Sequence, residues 1–84
     1  MRYKIKFSKQ FEKSMKKLKK KDFPLFEKIR KKLVAIIRSP ERHKPLKNDL
    51  AGYRRVHVGS FVLIYTIRGG TVKVISIDHH DKAY

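Results

Sequence analysis

The chain has 84 residues, with 23 Lys and Arg against seven Asp and Glu, a formal net charge of +16. It has no Cys, which excludes disulfides and thiolate metal sites, and no apolar run near the ~20 residues of a membrane-spanning helix. At 40% apolar, with five Phe and four Tyr, it is too apolar for a disordered tail and supports one small domain over residues 1–84.

So large a positive charge draws polyanions: nucleic acid first, then an acidic protein, then an anionic membrane surface. The basic residues are spread over the predicted strands and helices, which favours a folded binding body over a basic arm. The segment from Met1 to Phe7 has neither the apolar core nor the cleavage site of a secretory signal, so the expected location is the cytoplasm, with no membrane contact.

Residues Arg2 to Phe7 alternate, with Tyr3, Ile5 and Phe7 on one face, and predict a half-buried strand. Ser8 follows as a helix N-cap. Phe11, Met15 and Leu18 then recur at spacings of four and three, the apolar stripe of a helix. Lys16, Lys17, Lys19, Lys20 and Lys21 crowd its last turns. They suit the negative end of the helix dipole but repel one another, and read as a solvated face. Asp22-Phe23-Pro24 marks a break and a new start. A second helix carries Phe26, Ile29, Leu33, Ile36 and Ile37 and stops at Ser39-Pro40. The short connection predicts an antiparallel helix hairpin. Glu41 to Gly52 reads as a loop stiffened by Pro40 and Pro45, carrying His43, Lys44 and Lys47.

Tyr53 to Ile67 predicts two strands joined at Gly59-Ser60, where Gly in the first turn position fits a type II′ hairpin. That turn pairs Val58 with Phe61, His57 with Val62, Val56 with Leu63 and Arg55 with Ile64. Tyr53, Arg55 and His57 then share a face with Val62 and Ile64, while Val56 and Val58 share the other with Phe61, Leu63 and Tyr65. A second tight turn at Arg68-Gly69-Gly70-Thr71 leads to a strand from Val72 to Asp78. The expected fold is α+β: an N-terminal strand, an antiparallel helix hairpin, and a three-stranded antiparallel meander with the helices on one face. Val62, Ile64, Ile75 and Ile77 fall on the face opposite Phe61, Leu63 and Tyr65, and two helices can cover only one of these two apolar faces. The surplus on the other predicts a partner surface, or shelter by loops.

The four histidines are His43, His57, His79 and His80. Histidines beside Lys and Arg on a basic protein suit metal-free RNA cleavage. A base takes the 2′-OH proton, the oxygen attacks the adjacent phosphate, an acid protonates the leaving 5′-oxygen, and a cation stabilises the transition state. A metal centre is not expected: neighbouring strand residues in His79-His80-Asp81 point to opposite faces, and no His-x-Glu or His-x-x-x-His spacing occurs. No other cofactor motif is present. Tyr84 reads as a base-stacking platform, Phe61 as core.

The succession Leu50 to Val58, then Phe61 to Tyr65, then His79 to Tyr84, resembles the RelE/ParE superfamily of toxins over the whole chain, nearest to the RelE and YafQ branch of mRNA interferases. The resemblance implies a RelE-like fold and a ribosome-dependent endoribonuclease. Such a toxin cleaves mRNA in the ribosomal A site and is held inactive by a cognate antitoxin in a hetero-oligomer. The charge requires that antitoxin to be acidic. Position by position, His57 matches the YafQ-type histidine, Arg55 a catalytic Lys of RelE, His80 the C-terminal histidine and Tyr84 the closing aromatic. These four are the implied catalytic residues. Lys44, Lys47, Arg54, His43, His79 and Lys82 are the implied RNA contacts. The chain departs from RelE in having Val62 where RelE has an essential Arg. It departs from YafQ at Ser60-Phe61, near an Asp-Trp pair there, which leaves Arg55 as first choice for the transition-state cation, with Lys44 and Lys47 behind it. Simple alternation puts His79 on the His57 face, whereas the resemblance selects His80 and so requires a bulge or a strand end before it. The alternatives are a gyrase-inhibiting ParE-like toxin without nuclease activity and a non-catalytic RNA-binding module.

Overall fold

The computed structural model describes residues 3–42 and 52–79. The elements follow in the order β1 (Lys4–Phe7), α1 (Lys9–Lys21), α2 (Phe23–Arg38), a 3₁₀ turn (Pro40–Arg42), β2 (Tyr53–Val58), β3 (Phe61–Arg68) and β4 (Thr71–His79). Each boundary has a local cause. Ser8, in extended backbone, accepts at its side chain from the Phe11 N–H at 3.0 Å and caps α1. Asp22 serves both helices: its N–H donates to the Leu18 carbonyl at the end of α1, and its carboxylate accepts from the Leu25 N–H at 3.2 Å at the start of α2. One residue thus reverses the chain, and Pro24 sits in the first turn, where its missing N–H costs nothing. Ser39 ends α2, with its N–H on the Ala35 carbonyl.

The strands form one mixed sheet in the order β1-β4-β3-β2. The β2–β3 and β3–β4 pairs are antiparallel, and β1 lies parallel to β4. The hairpin has the register read from the sequence, including His57 opposite Val62 and Arg55 opposite Ile64. Gly59 and Gly69 hold the two tight turns at φ +60° and +51°, which L side chains rarely adopt. Both helices pack on one face. Phe11 of α1 and Ile29, Leu33 and Ile36 of α2 meet Val56, Val58, Leu63, Tyr65, Val72, Val74 and Ile77 of the sheet in one core. The fold is α+β, and the sheet's other face, which carries Arg55 and His57, is turned away from the helices.

One feature of β4 overturns the placements of Ile77 and His79 by simple alternation, and it is a bulge of the kind that the choice of His80 requires. Tyr65 pairs with Val74 and Ile64 with Ser76, so Ile75 is inserted as a β-bulge. The Ser8 hydroxyl donates to the Ile75 carbonyl, and the Ser8 N–H to the Val74 carbonyl at 2.9 Å, so the bulge is tied to the start of α1. A single extra residue inverts the alternation beyond it. Ile77 therefore faces the helices beside Leu63, not the open face. His79 pairs with Phe61 and joins the helix side, not the His57 face. The apolar surplus on the open face shrinks accordingly. Val62 is buried there, and the exposed large apolar side chains among the described residues are Phe7, Phe23 and Val34, none of them on that face.

Candidate active site

The open face is built in rows across the strands. Cross-strand register places His57, Val62 and Asp78 in one row, Arg55, Ile64 and Ser76 in the next, and Tyr53, Thr66, Lys73 and Lys6 in a third. Strands are spaced ~4.8 Å apart, so His57 and Asp78 stand about 10 Å from each other at their backbones, with Val62 between. Arg55 and His57 are alternate residues of β2, ~7 Å apart along the strand, and project to the same side. Their platform is rigid because the opposite side chains of the same strand, Val56 and Val58, are locked in the core at 3% and 5% exposure. His57 is exposed and Arg55 half-buried. This is an imidazole and a guanidinium held side by side on a fixed surface.

The helices add cations that the sequence reading passed over. Lys28, Lys31 and Lys32 of α2 line a groove of about 360 Å³ together with His57, Val58 and Gly59. Their spacing of three and four puts them on one side of α2. Asp78 is the other residue not singled out, because only the bulge brings it to the His57 row.

The remaining expected contacts divide. Arg54 alternates to the helix side, where its guanidinium donates to the Glu41 carbonyl at 3.2 Å. The Glu41 carboxylate accepts from the Tyr3 hydroxyl at 3.0 Å, a bond that raises the Tyr3 phenol above its ordinary pKa. Tyr65, buried beneath, donates its hydroxyl to the Pro40 carbonyl, and burial pushes it up to about 12, against an opposing pull from Arg54. Together these bonds pin the end of α2 to the sheet. Arg54 and His79 therefore do not share a surface with Arg55 and His57. His43, Lys44, Lys47, His80, Lys82 and Tyr84 lie outside the described residues.

Residues 5–84 match the family described as ParE toxin of type II toxin-antitoxin system, parDE. The chain belongs to this toxin family. RelE4 of Methanocaldococcus jannaschii is 35% identical to the toxin over 85 residues, spanning 98% of this chain and 90% of its own. The YoeB dimer from Staphylococcus aureus superposes on the toxin with a TM-score of 0.79 at 27% identity, covering 95% of this chain and 99% of the other. The RelBE2 toxin-antitoxin complex from Mycobacterium tuberculosis gives 0.81 at 25% identity, covering 94% and 99%. The toxin thus has the fold of the RelE/ParE superfamily. Its open sheet face bears an imidazole and a guanidinium, and three lysines of α2 line the groove beside the imidazole.

Proposed function

We propose that this toxin is an mRNA interferase, an endoribonuclease that cleaves mRNA on the ribosome without a metal. The observation that carries the reading is the juxtaposition of Arg55 and His57 on the helix-free sheet face, with Lys28, Lys31 and Lys32 beside the imidazole. His57 and His80 act as the acid/base pair. One takes the 2′-OH proton as that oxygen attacks the phosphorus, and the other protonates the departing 5′-oxygen. The products are a 2′,3′-cyclic phosphate and a 5′-hydroxyl. Arg55 supplies charge to the pentacovalent transition state, and Tyr84 stacks on a base. The lysines of α2 draw the polyanion in. The partners in this reading are the ribosome with its mRNA and an acidic cognate antitoxin, all in the cytoplasm. The family's ParE description favours a second reading, inhibition of DNA gyrase without nuclease activity. Mapping mRNA 5′ ends after adding the toxin to a translation extract tests the first: new ends within codons support it. Intact mRNA alongside loss of gyrase supercoiling activity would transfer the proposal to the second.

A further inference from the structure

The helix side of the sheet holds a second basic pocket, which the active face does not use. It measures about 300 Å³ and is lined by Ser14, Lys17, Leu18 and Lys21 of α1, Phe61 of β3, and Ile77 to His79 of β4. That volume is at the small end of ligand sites, the size of one nucleotide rather than a folded partner. Its floor is apolar, from Leu18 and Ile77. The Phe61 and His79 rings meet edge to face there, with centroids 5.4 Å apart and planes at 77°. Ser14, Lys17 and Lys21 follow helical spacing and face the pocket as a hydroxyl and two ammonium groups a turn apart. Asp78 borders the pocket but pairs with Val62, so the pleat turns its carboxylate to the other face.

We propose that this pocket is a second RNA subsite, taking one unpaired nucleotide with its base against Phe61 and its phosphate at Lys17 and Lys21. Aromatic faces accept any base, and paired cations select phosphate. An acidic peptide would use the lysines but leave the two rings without a role. The position supports a continuous path. Phe61 directly follows the Gly59-Ser60 turn and His57 precedes it, so pocket and active face lie back to back at one end of the sheet. A single strand crossing that end reaches both. The subsite rests on the nuclease reading and extends it to substrate held outside the scissile step.

The test is fluorescence anisotropy with a short single-stranded 2′-O-methyl RNA, which lacks the attacking hydroxyl, across a salt series. Lys17→Gln/Lys21→Gln should weaken binding about tenfold and reduce the salt slope by ~0.7, the contribution of one neutralised phosphate in a single strand. Phe61→Leu should weaken binding about fivefold or more with the slope unchanged. Lys9→Gln/Lys13→Gln removes equal charge from α1 outside the pocket and should do much less. Thermal melting checks that each variant folds, and the exposed lysine pair decides the question if Phe61→Leu does not. Equal loss in both lysine pairs, or none in either, overturns the subsite. So does loss of antitoxin affinity in Lys17→Gln/Lys21→Gln with RNA binding intact, which would assign the pocket to the protein partner. A wild-type toxin that neither binds nor cleaves RNA sinks the nuclease reading as well. One that binds and cleaves while the pocket variants match it sinks the subsite alone.

Discussion

At the scale of single residues, chemistry separates from position. His57 is exposed on a strand whose other side is locked in the core, so replacing it removes an imidazole without opening a cavity. His57→Ala and His80→Ala should each lower single-turnover cleavage of ribosome-bound mRNA roughly 10²-fold while the melting temperature stays within a few degrees of wild type. His79→Ala should act on the RNA concentration needed rather than on the saturated rate. Full activity in both His57→Ala and His80→Ala would move the chemistry to Arg55 and the lysines. Tyr65 has the opposite character: fully buried, with its hydroxyl on the Pro40 carbonyl. Tyr65→Phe leaves that carbonyl without its donor and should cost about 1–3 kcal/mol at neutral pH. The folded phenol titrates near 12 against 10.0 for the ordinary group. The fold thus binds this proton more tightly, a stabilisation complete below pH 10 and lost as pH rises through 12. The gap between wild type and Tyr65→Phe in denaturant melts should narrow across that window, and a constant gap would contradict the assignment.

At the scale of elements, the β4 bulge decides which residues can act together. Ser8 caps α1 and holds the bulge carbonyl with the same hydroxyl. Ser8→Ala should therefore cost more than an ordinary cap, roughly 2 kcal/mol, or a fall in melting temperature of about 8–16 °C for a domain this size. A fall under ~2 °C by circular dichroism would mean that neither bond matters. The hairpin register, the helix break at Asp22-Phe23-Pro24 and the stop at Ser39-Pro40 were legible because each is set by a few adjacent residues with strong local preferences. The bulge was not. Ile75, Ile77 and their neighbours are apolar on both parities, so the pattern carried no mark of the inserted residue.

At the scale of the whole molecule, the net charge of +16 opposes compactness and demands a counter-charge. An acidic antitoxin that binds only the folded toxin should raise its melting temperature with concentration, by the equivalent of ~2.7 kcal/mol at a hundredfold excess over Kd. That gain should shrink as salt rises. Differential scanning calorimetry of the co-purified pair checks it, and a melting temperature insensitive to partner and salt would show that the charge is not relieved by binding. The charge is also distributed by the fold: Lys6 and Lys73 are brought together as parallel neighbours, and Lys28, Lys31 and Lys32 are set beside His57.

The amino-acid sequence by itself determined the element order, both turns and the Arg55–His57 pairing, because hydrophobic period, capping and turn chemistry act within a few residues. Tertiary structure alone decided that β1 lies parallel to β4, that Asp78 joins the His57 row, and that His79 passes to the helix side. Parallel pairing joins segments more than sixty residues apart, as Lys4 with Thr71, and leaves no local signature in either one. The face taken by each residue after Ile75 depends on a register shift that only the packed sheet, held by Ser8 at the start of α1, imposes.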